Sequence, residues 1–189
     1  MGGLHKMSHI AVFFAEGYEE IEALTVVDIL RRAGEDVSMV SVSGEHCVKG
    51  SHGIGVNMDL SLGELDFESQ DVLVLPGGLK GTQNLEACEP LMKQFDAFYQ
   101  EGKTIAAICA APSIFGHRGY LKGKKACSYP SFESHLEGAE VLQQPAVCDG
   151  EVITGRGMGA SIAFALEILS KLQNREAADT MAENIVYTR

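Results

Sequence analysis

Apolar residues in this chain come in short runs rich in Val, Ile, Phe and Ala, and these runs alternate with longer stretches whose apolar positions recur every three or four residues. The first run covers residues 9–15 and is broken by Gly17. Residues 19–33 then predict a helix with acids in its first turn, Arg31 and Arg32 in its last, and Gly34 as its stop. Residues 37–42 predict a second strand. Residues 47–62, with glycines at 50, 53 and 55, read as a hairpin excursion between two short extended pieces. A buried-strand run at 71–75 ends abruptly in Pro76-Gly77-Gly78, and residues 90–100 predict a helix opened by Pro90 and closed by Gly102. The next strand is at 104–108, and a helix opens at 112–115. Asp149-Gly150, inside residues 146–154, marks a two-residue hairpin. Ile162, Ala165, Leu166, Leu169 and Leu172 share one face of a following helix, and residues 174–186 predict a last one. This alternation specifies an α/β fold, a parallel sheet covered by helices on both faces.

Without a repeat, linker or low-complexity tract, residues 1–189 are expected to form one domain, with 1–8 as a flexible start. A chain of this size buries roughly two-thirds or more of its unfolded surface, so its core needs neither disulfide nor metal. Fifteen Lys and Arg against 26 Asp and Glu give a net charge of −11, the wrong sign for tracking phosphates. Nucleic acid and membrane are thereby disfavoured as partners, and a small metabolite or a protein is favoured. The cysteines, at 47, 88, 109, 127 and 148, are odd in number and form no Cys-x-x-Cys, which suits free thiols in a reducing compartment. Residues 1–8 lack the apolar stretch of a signal peptide, and no run approaches the ~20 apolar residues of a membrane helix. A cytoplasmic protein is expected.

The candidate chemistry centres on Cys109, which follows the strand at 104–108 within Ala107-Ile-Cys-Ala-Ala-Pro112. A nucleophile on so tight a strand-to-helix turn needs small residues two before and two after it, and Ala107 and Ala111 supply them. The free amides of the next helix should face the sulfur and lower its pKa, leaving thiolate at neutral pH. Taken alone, the segment equally fits a small core cysteine at a strand end. Gly77-Gly78 ends a strand at the same sheet edge, where α/β sheets bind ligands, and the Gly78 and Ala110 amides could form an oxyanion hole. An ordinary Gly-Gly turn is the alternative. Glu22, flanked by Ile21, Ala23 and Leu24, is a candidate for a carboxyl kept protonated by burial and a nearby thiolate, hence a general acid/base. The bland reading is a solvated first-turn acid, as for Glu19 or Glu20.

Tyr18-Glu-Glu-Ile-Glu22 with Asp28-Ile-Leu-Arg-Arg-Ala-Gly34, Val74-Leu-Pro-Gly-Gly78 with Gln83-Asn-Leu85, Ala106-Ala-Ile-Cys-Ala-Ala-Pro112 and Thr154-Gly-Arg-Gly-Met-Gly159 resemble, in order and spacing, the ThiJ/PfpI superfamily and within it the DJ-one branch. The likeness runs from His9 to about Val186. It implies a flavodoxin-like three-layer sandwich with a nucleophile elbow, a homodimer and no cofactor. It also implies Cys109 as the reactive cysteine and Glu22 as its protonated partner. Relatives of this branch are described as glyoxalases that turn methylglyoxal into lactate, as deglycases, and as oxidative-stress sensors or chaperones. Some carry a thiazole monophosphate biosynthesis label that nothing in this composition supports.

Two departures bear on chemistry. Cys127-Ser-Tyr-Pro130 places Tyr129 where several relatives have a histidine, and tyrosine, with a pKa near ~10, is a poor base at pH 7. This disfavours a cysteine hydrolase, which must protonate an amine, more than a glyoxalase. His52 stands where the branch often has an arginine near the dimer contact. Arg156 and Gly157, within Gly155-Arg-Gly-Met-Gly159, are expected to wall the Cys109 pocket with Gly77 and Tyr129. His117 is a candidate neighbour of the site, or else a helix-end residue that meets the last-turn carbonyls. His5, His46 and His135 have no ligand-like spacing, so no metal is expected. The expected reaction is attack of a Cys109 thiolate on a small aldehyde or ketoaldehyde. A redox sensor with an oxidisable Cys109 is the alternative from a different class.

Overall fold

In the computed structural model, which describes residues 6–188, three central strands carry the core. These are β1 (His9–Phe14), β6 (Val72–Leu75) and β7 (Thr104–Ile108). Each is apolar at successive positions because it is buried on both faces. Ile10, Val12, Phe14, Val72, Val74, Ala106 and Ile108 face one helical layer, while Ala11, Phe13, Leu73, Leu75, Ile105 and Ala107 face the other. The first layer is built on α1 (Glu20–Arg32), α5 (Ser161–Leu172) and α6 (Arg175–Asn184). The second uses α2 (Leu79–Glu86), α3 (Glu89–Gln100) and α4 (Pro112–His117), through Leu85, Leu91, Phe95, Ile114 and Phe115.

The seven-stranded sheet has the order β10-β11-β7-β6-β1-β2-β5, with β2 at Asp36–Ser41, β5 at Leu60–Ser61, β10 at Ala146–Asp149 and β11 at Val152–Gly155. All its pairs are parallel except the β10–β11 hairpin, which turns at Gly150 with φ +63°. The chain runs outward from β1 through β2 on one side and through β6 and β7 on the other. The switch point of this doubly wound sheet therefore lies at the C-terminal ends of β1 and β6, the place where such sheets bind ligands.

The hairpin excursion is present as β3 (Cys47–Lys49) and β4 (Gly55–Asn57), apart from the main sheet, and the chain then returns to pair β5 with β2. Two features go beyond the sequence expectation. Helix α2 buries only Gly81, Thr82 and Leu85, too few positions for a visible period. Strands β8 (Lys125–Ala126) and β9 (Glu140–Val141) are two residues each, below the length at which a pattern can be read. Residues 1–5 of the expected flexible start lie outside the described residues, and at its end the Ser8 amide donates to Glu35 at 2.7 Å. Among the described residues, no helix is long and apolar enough to cross a membrane.

Candidate active site

Three strand ends deliver the site. Cys109 follows β7 directly and has φ +66°, a left-handed conformation that is rare without glycine and costs on the order of 1–3 kcal/mol. The residue is held there from both sides: its N–H donates to the Gly155 carbonyl at 2.9 Å, and its carbonyl accepts from the Tyr129 N–H at 2.9 Å. Ala107 and Ala111 are fully buried, leaving no room for larger neighbours. Gly155 must also be bare, because a Cβ there would sit 2.9 Å from both Ile108 and the Phe164 ring.

Glu22 enters from the first turn of α1 and is fully buried. Its Oε2 accepts the Gly77 N–H at 2.9 Å, while Oε1 is buried with no nitrogen or oxygen partner. Gly77 separates the two reactive side chains with the thinnest residue available, since a Cβ there would fall on Glu22 Oε2 and on the Cys109 side chain. Gly78, at φ +89°, turns the chain so that its amide, like that of Ala110, draws the Cys109 thiol pKa down. These are the two amides that sequence reasoning nominated.

The ionisation differs from the sequence expectation of a thiol that ionises early. Burial, then the charge and hydrogen bond of Glu22, push the Cys109 thiol up to about 12, and the Gly78 and Ala110 amides offset this only in part. The two amides belong to different helix starts, Gly78 as the N-cap of α2 and Ala110 just before the six-residue α4, so neither helix aligns more than one N–H on the sulfur and α4 adds little macrodipole. Burial also pushes Glu22 up to about 7, against the hydrogen bonds it receives from Cys109 and Gly77. The two groups form one coupled unit: it loses a first proton near neutrality, and the second is retained far above it.

The other nominated residues divide. Tyr129 gives the elbow its backbone amide, while its side chain is 49% exposed and stands where a Cβ added at Gly157 would meet its ring at 3.4 Å. Arg156 faces Glu133 at 3.7 Å, with its Nε buried and unpartnered, and its charge reaches the neighbouring Cys127. His117 is turned away, one ring nitrogen on Glu86 at 2.6 Å and the other on His135 at 3.0 Å, because it closes α4 rather than opening it. It caps no carbonyl of its own helix with that ring. His52 lies in a network that sequence reading did not anticipate. Burial raises the Glu20 pKa, but hydrogen bonds from its own amide, from His52 and from Ser51 outweigh burial and draw it down to about 2. The Glu20 hydrogen bond in turn raises His52. Among the described residues, Glu19, Glu20 and His52 bring ligand-type atoms within 4.8 Å of one another, yet Glu20 and His52 already bind each other.

Glu22→Gln tests the coupled unit with two readouts. The folded pKa of Glu22 lies above the unfolded one, so the folded state holds the extra proton and stability falls as pH rises from 4.5 to about 7. Glutamine removes that cost, and urea unfolding should show the variant gaining about 3 kcal/mol on wild type between pH 4.5 and pH 8. Cys109 alkylation in wild type should rise through an inflection near 7 that the variant lacks. A wild-type inflection at the free-thiol value of ~8.5 contradicts the coupling.

Residues 8–171 match the DJ-1/PfpI family. The chain is 35% identical to the protein dj-1beta of Drosophila melanogaster over 177 residues, covering 93% of this chain and 95% of the relative. It is 37% identical to the DJ-1 homolog B of Arabidopsis thaliana over 166 residues, 87% of this chain but 38% of that longer protein, so it spans less than half of it. A deglycase of Thermococcus kodakarensis is 29% identical over 166 residues, 87% of this chain and 99% of the relative. Among solved structures, oxidized Toxoplasma gondii DJ-1 superposes with a TM-score of 0.92 at 31% identity, over 96% of this chain and 100% of the other. Sequence identity and fold agree with these relatives, and the chain belongs to the DJ-1/PfpI family.

Proposed function

We propose that the chain is a cofactor-independent enzyme of the glyoxalase and deglycase type, acting on small reactive carbonyls such as methylglyoxal. The observation that carries this reading is the placement of the Cys109 sulfur between the Gly78 and Ala110 amides, with Glu22 beside it at a pKa near 7. A carboxyl at that value can both take and return a proton at physiological pH.

The steps use only these groups and water. The sulfur attacks the aldehyde carbon while Glu22 takes the thiol proton, and the two amides hold the developing oxyanion. Glu22 returns the proton to that oxygen, giving a hemithioacetal. It then moves a proton from C1 to C2 through an enediol, which converts the adduct to a lactoyl thioester. Water cleaves the C–S bond and releases lactate with the thiol restored. Within the substrate C1 is oxidised and C2 reduced, so no external redox partner enters. The name of the Thermococcus kodakarensis relative supports carbonyl chemistry in this family.

Such a protein would act as a homodimer. Ile21 and Ile54, 51% and 54% exposed, border an apolar groove along α1 with Leu24, Ile162 and Ile185. A second copy covers this groove in our reading, and sedimentation should give twice 20.3 kDa in wild type and the single mass in Ile21→Asp.

A second reading, supported by the oxidized state of the Toxoplasma gondii relative, is a redox sensor in which peroxide adds two oxygens to Cys109, each transfer releasing water. One experiment separates the two. Lactate formation from methylglyoxal should vanish in Cys109→Ala and fall at least about 100-fold in Glu22→Gln, the scale of a lost general acid/base. Full activity in Cys109→Ala overturns the enzyme mechanism. Negligible wild-type turnover, with intact mass showing two added oxygens at Cys109 after mild peroxide, assigns the sensor instead.

A further inference from the structure

Away from Cys109, three helical segments end at one place on the surface. Glu86 is the last residue of α2, His117 the last of α4, and His135 the last of the 3-10 helix Pro130–His135. Glu86 Oε1 lies 2.6 Å from His117 Nδ1, and His117 Nε2 lies 3.0 Å from His135 Nδ1. The arrangement is built in by packing. Gly116 has no side chain, and a Cβ there would fall on the His135 carbonyl oxygen, so α4 and the 3-10 helix touch backbone to backbone just beside the two imidazoles. The Phe132 ring, 5.7 Å from that of His135, flanks the second imidazole.

We propose that His117 and His135 form a binding site for a borderline divalent transition cation of the zinc class, with Glu86 as the outer carboxylate that orients His117. The chemistry of the three groups argues for it in sequence. A carboxylate on Nδ1 fixes the proton there and leaves the Nε2 lone pair of His117 pointing outward, as in carboxylate–histidine–zinc triads. The nitrogen facing it, His135 Nδ1, is 3.0 Å away. Two imidazoles on one tetrahedral zinc, at ~2.0–2.1 Å each, have nitrogens about 3.3 Å apart, so a small rotation of the exposed His135 ring admits the ion. His135 then carries its proton on Nε2, and water completes the coordination. A chain of net charge −11 also favours a cation over an anion. Imidazole ligands select the zinc, copper and nickel class over calcium or magnesium.

The bound ion ties together the far ends of the two segments that hold the elbow. Helix α4 begins three residues after Cys109, and the 3-10 helix begins next to Tyr129, whose amide holds the Cys109 carbonyl. The expected consequence is a metal-dependent rise in thermal stability, without a part in the chemistry.

Zinc chloride titrated calorimetrically into the Cys109→Ser chain tests this, since that background removes the reactive thiol. One equivalent should bind. The same addition should shift the imidazole 15N resonances of two histidines and raise the Tm. His117→Ala and His135→Ala should each abolish all three effects, while His52→Ala leaves them intact. Glu86→Gln, which keeps both imidazoles, should weaken binding about 10–100-fold. Zinc binding that persists in the double variant His117→Ala/His135→Ala, or the absence of any binding to the Cys109→Ser chain, overturns the proposal. Loss of binding in His52→Ala instead assigns the ion to the Glu19, Glu20 and His52 cluster and overturns it equally.

Discussion

A thiol and a carboxyl buried against each other can hold one negative charge between them at neutral pH, and the design of this protein follows from that constraint. Burial raises the proton affinity of both groups and the Glu22 charge raises that of the thiol further, while the hydrogen bond from Cys109 lowers that of Glu22. Fixed dipoles offset part of the cost. The Gly77 amide serves Glu22, and the Gly78 and Ala110 amides serve the sulfur. These donors come from two adjacent strand ends, so the sheet register sets the electrostatics: Leu75 of β6 pairs with Ala107 of β7, bringing Gly77 and Cys109 level beyond the last ladder rungs.

The strain at Cys109 belongs to the same design. A left-handed cysteine is stable only where its surroundings over-determine it. Here the hydrogen bonds to Gly155 and Tyr129 attach the elbow to β11 on one side and to the 3-10 helix on the other. Glycine at 77 and 155 is the packing counterpart, because a Cβ would strike Glu22 and Cys109 at the first and Ile108 and Phe164 at the second, and the flanking Ala107 and Ala111 are fully buried.

Much of this was legible in the residues. β1, β6 and β7 read as continuous apolar runs because they are buried on both faces, and Gly77-Gly78 and Ala107-Ile-Cys-Ala-Ala-Pro112 carry local steric demands that sequence records directly. The two amides at the sulfur were legible for the same reason. The ionisation was not, since the desolvation of Cys109 and Glu22 depends on how layers from opposite sides of the sheet close over them. The Glu20–Ser51–His52 network and the meeting of Glu86, His117 and His135 were equally hidden. Their members are 31 or 32 and 18 or 31 residues apart, and only tertiary packing makes them neighbours.

Tyr129 sharpens what the site can do. Its contribution to the elbow is a backbone amide, which any residue but proline would give, and the residue is half exposed. Among the described residues, Glu22 is the titratable side chain that acts on the Cys109 sulfur. A single carboxyl beside a single thiol can pass one proton back and forth between sulfur and substrate. In the rearrangement proposed above, each proton Glu22 takes from an oxoaldehyde adduct is returned to that adduct. Tyr129 thus serves the elbow through its backbone, and proton traffic at the sulfur falls to Glu22.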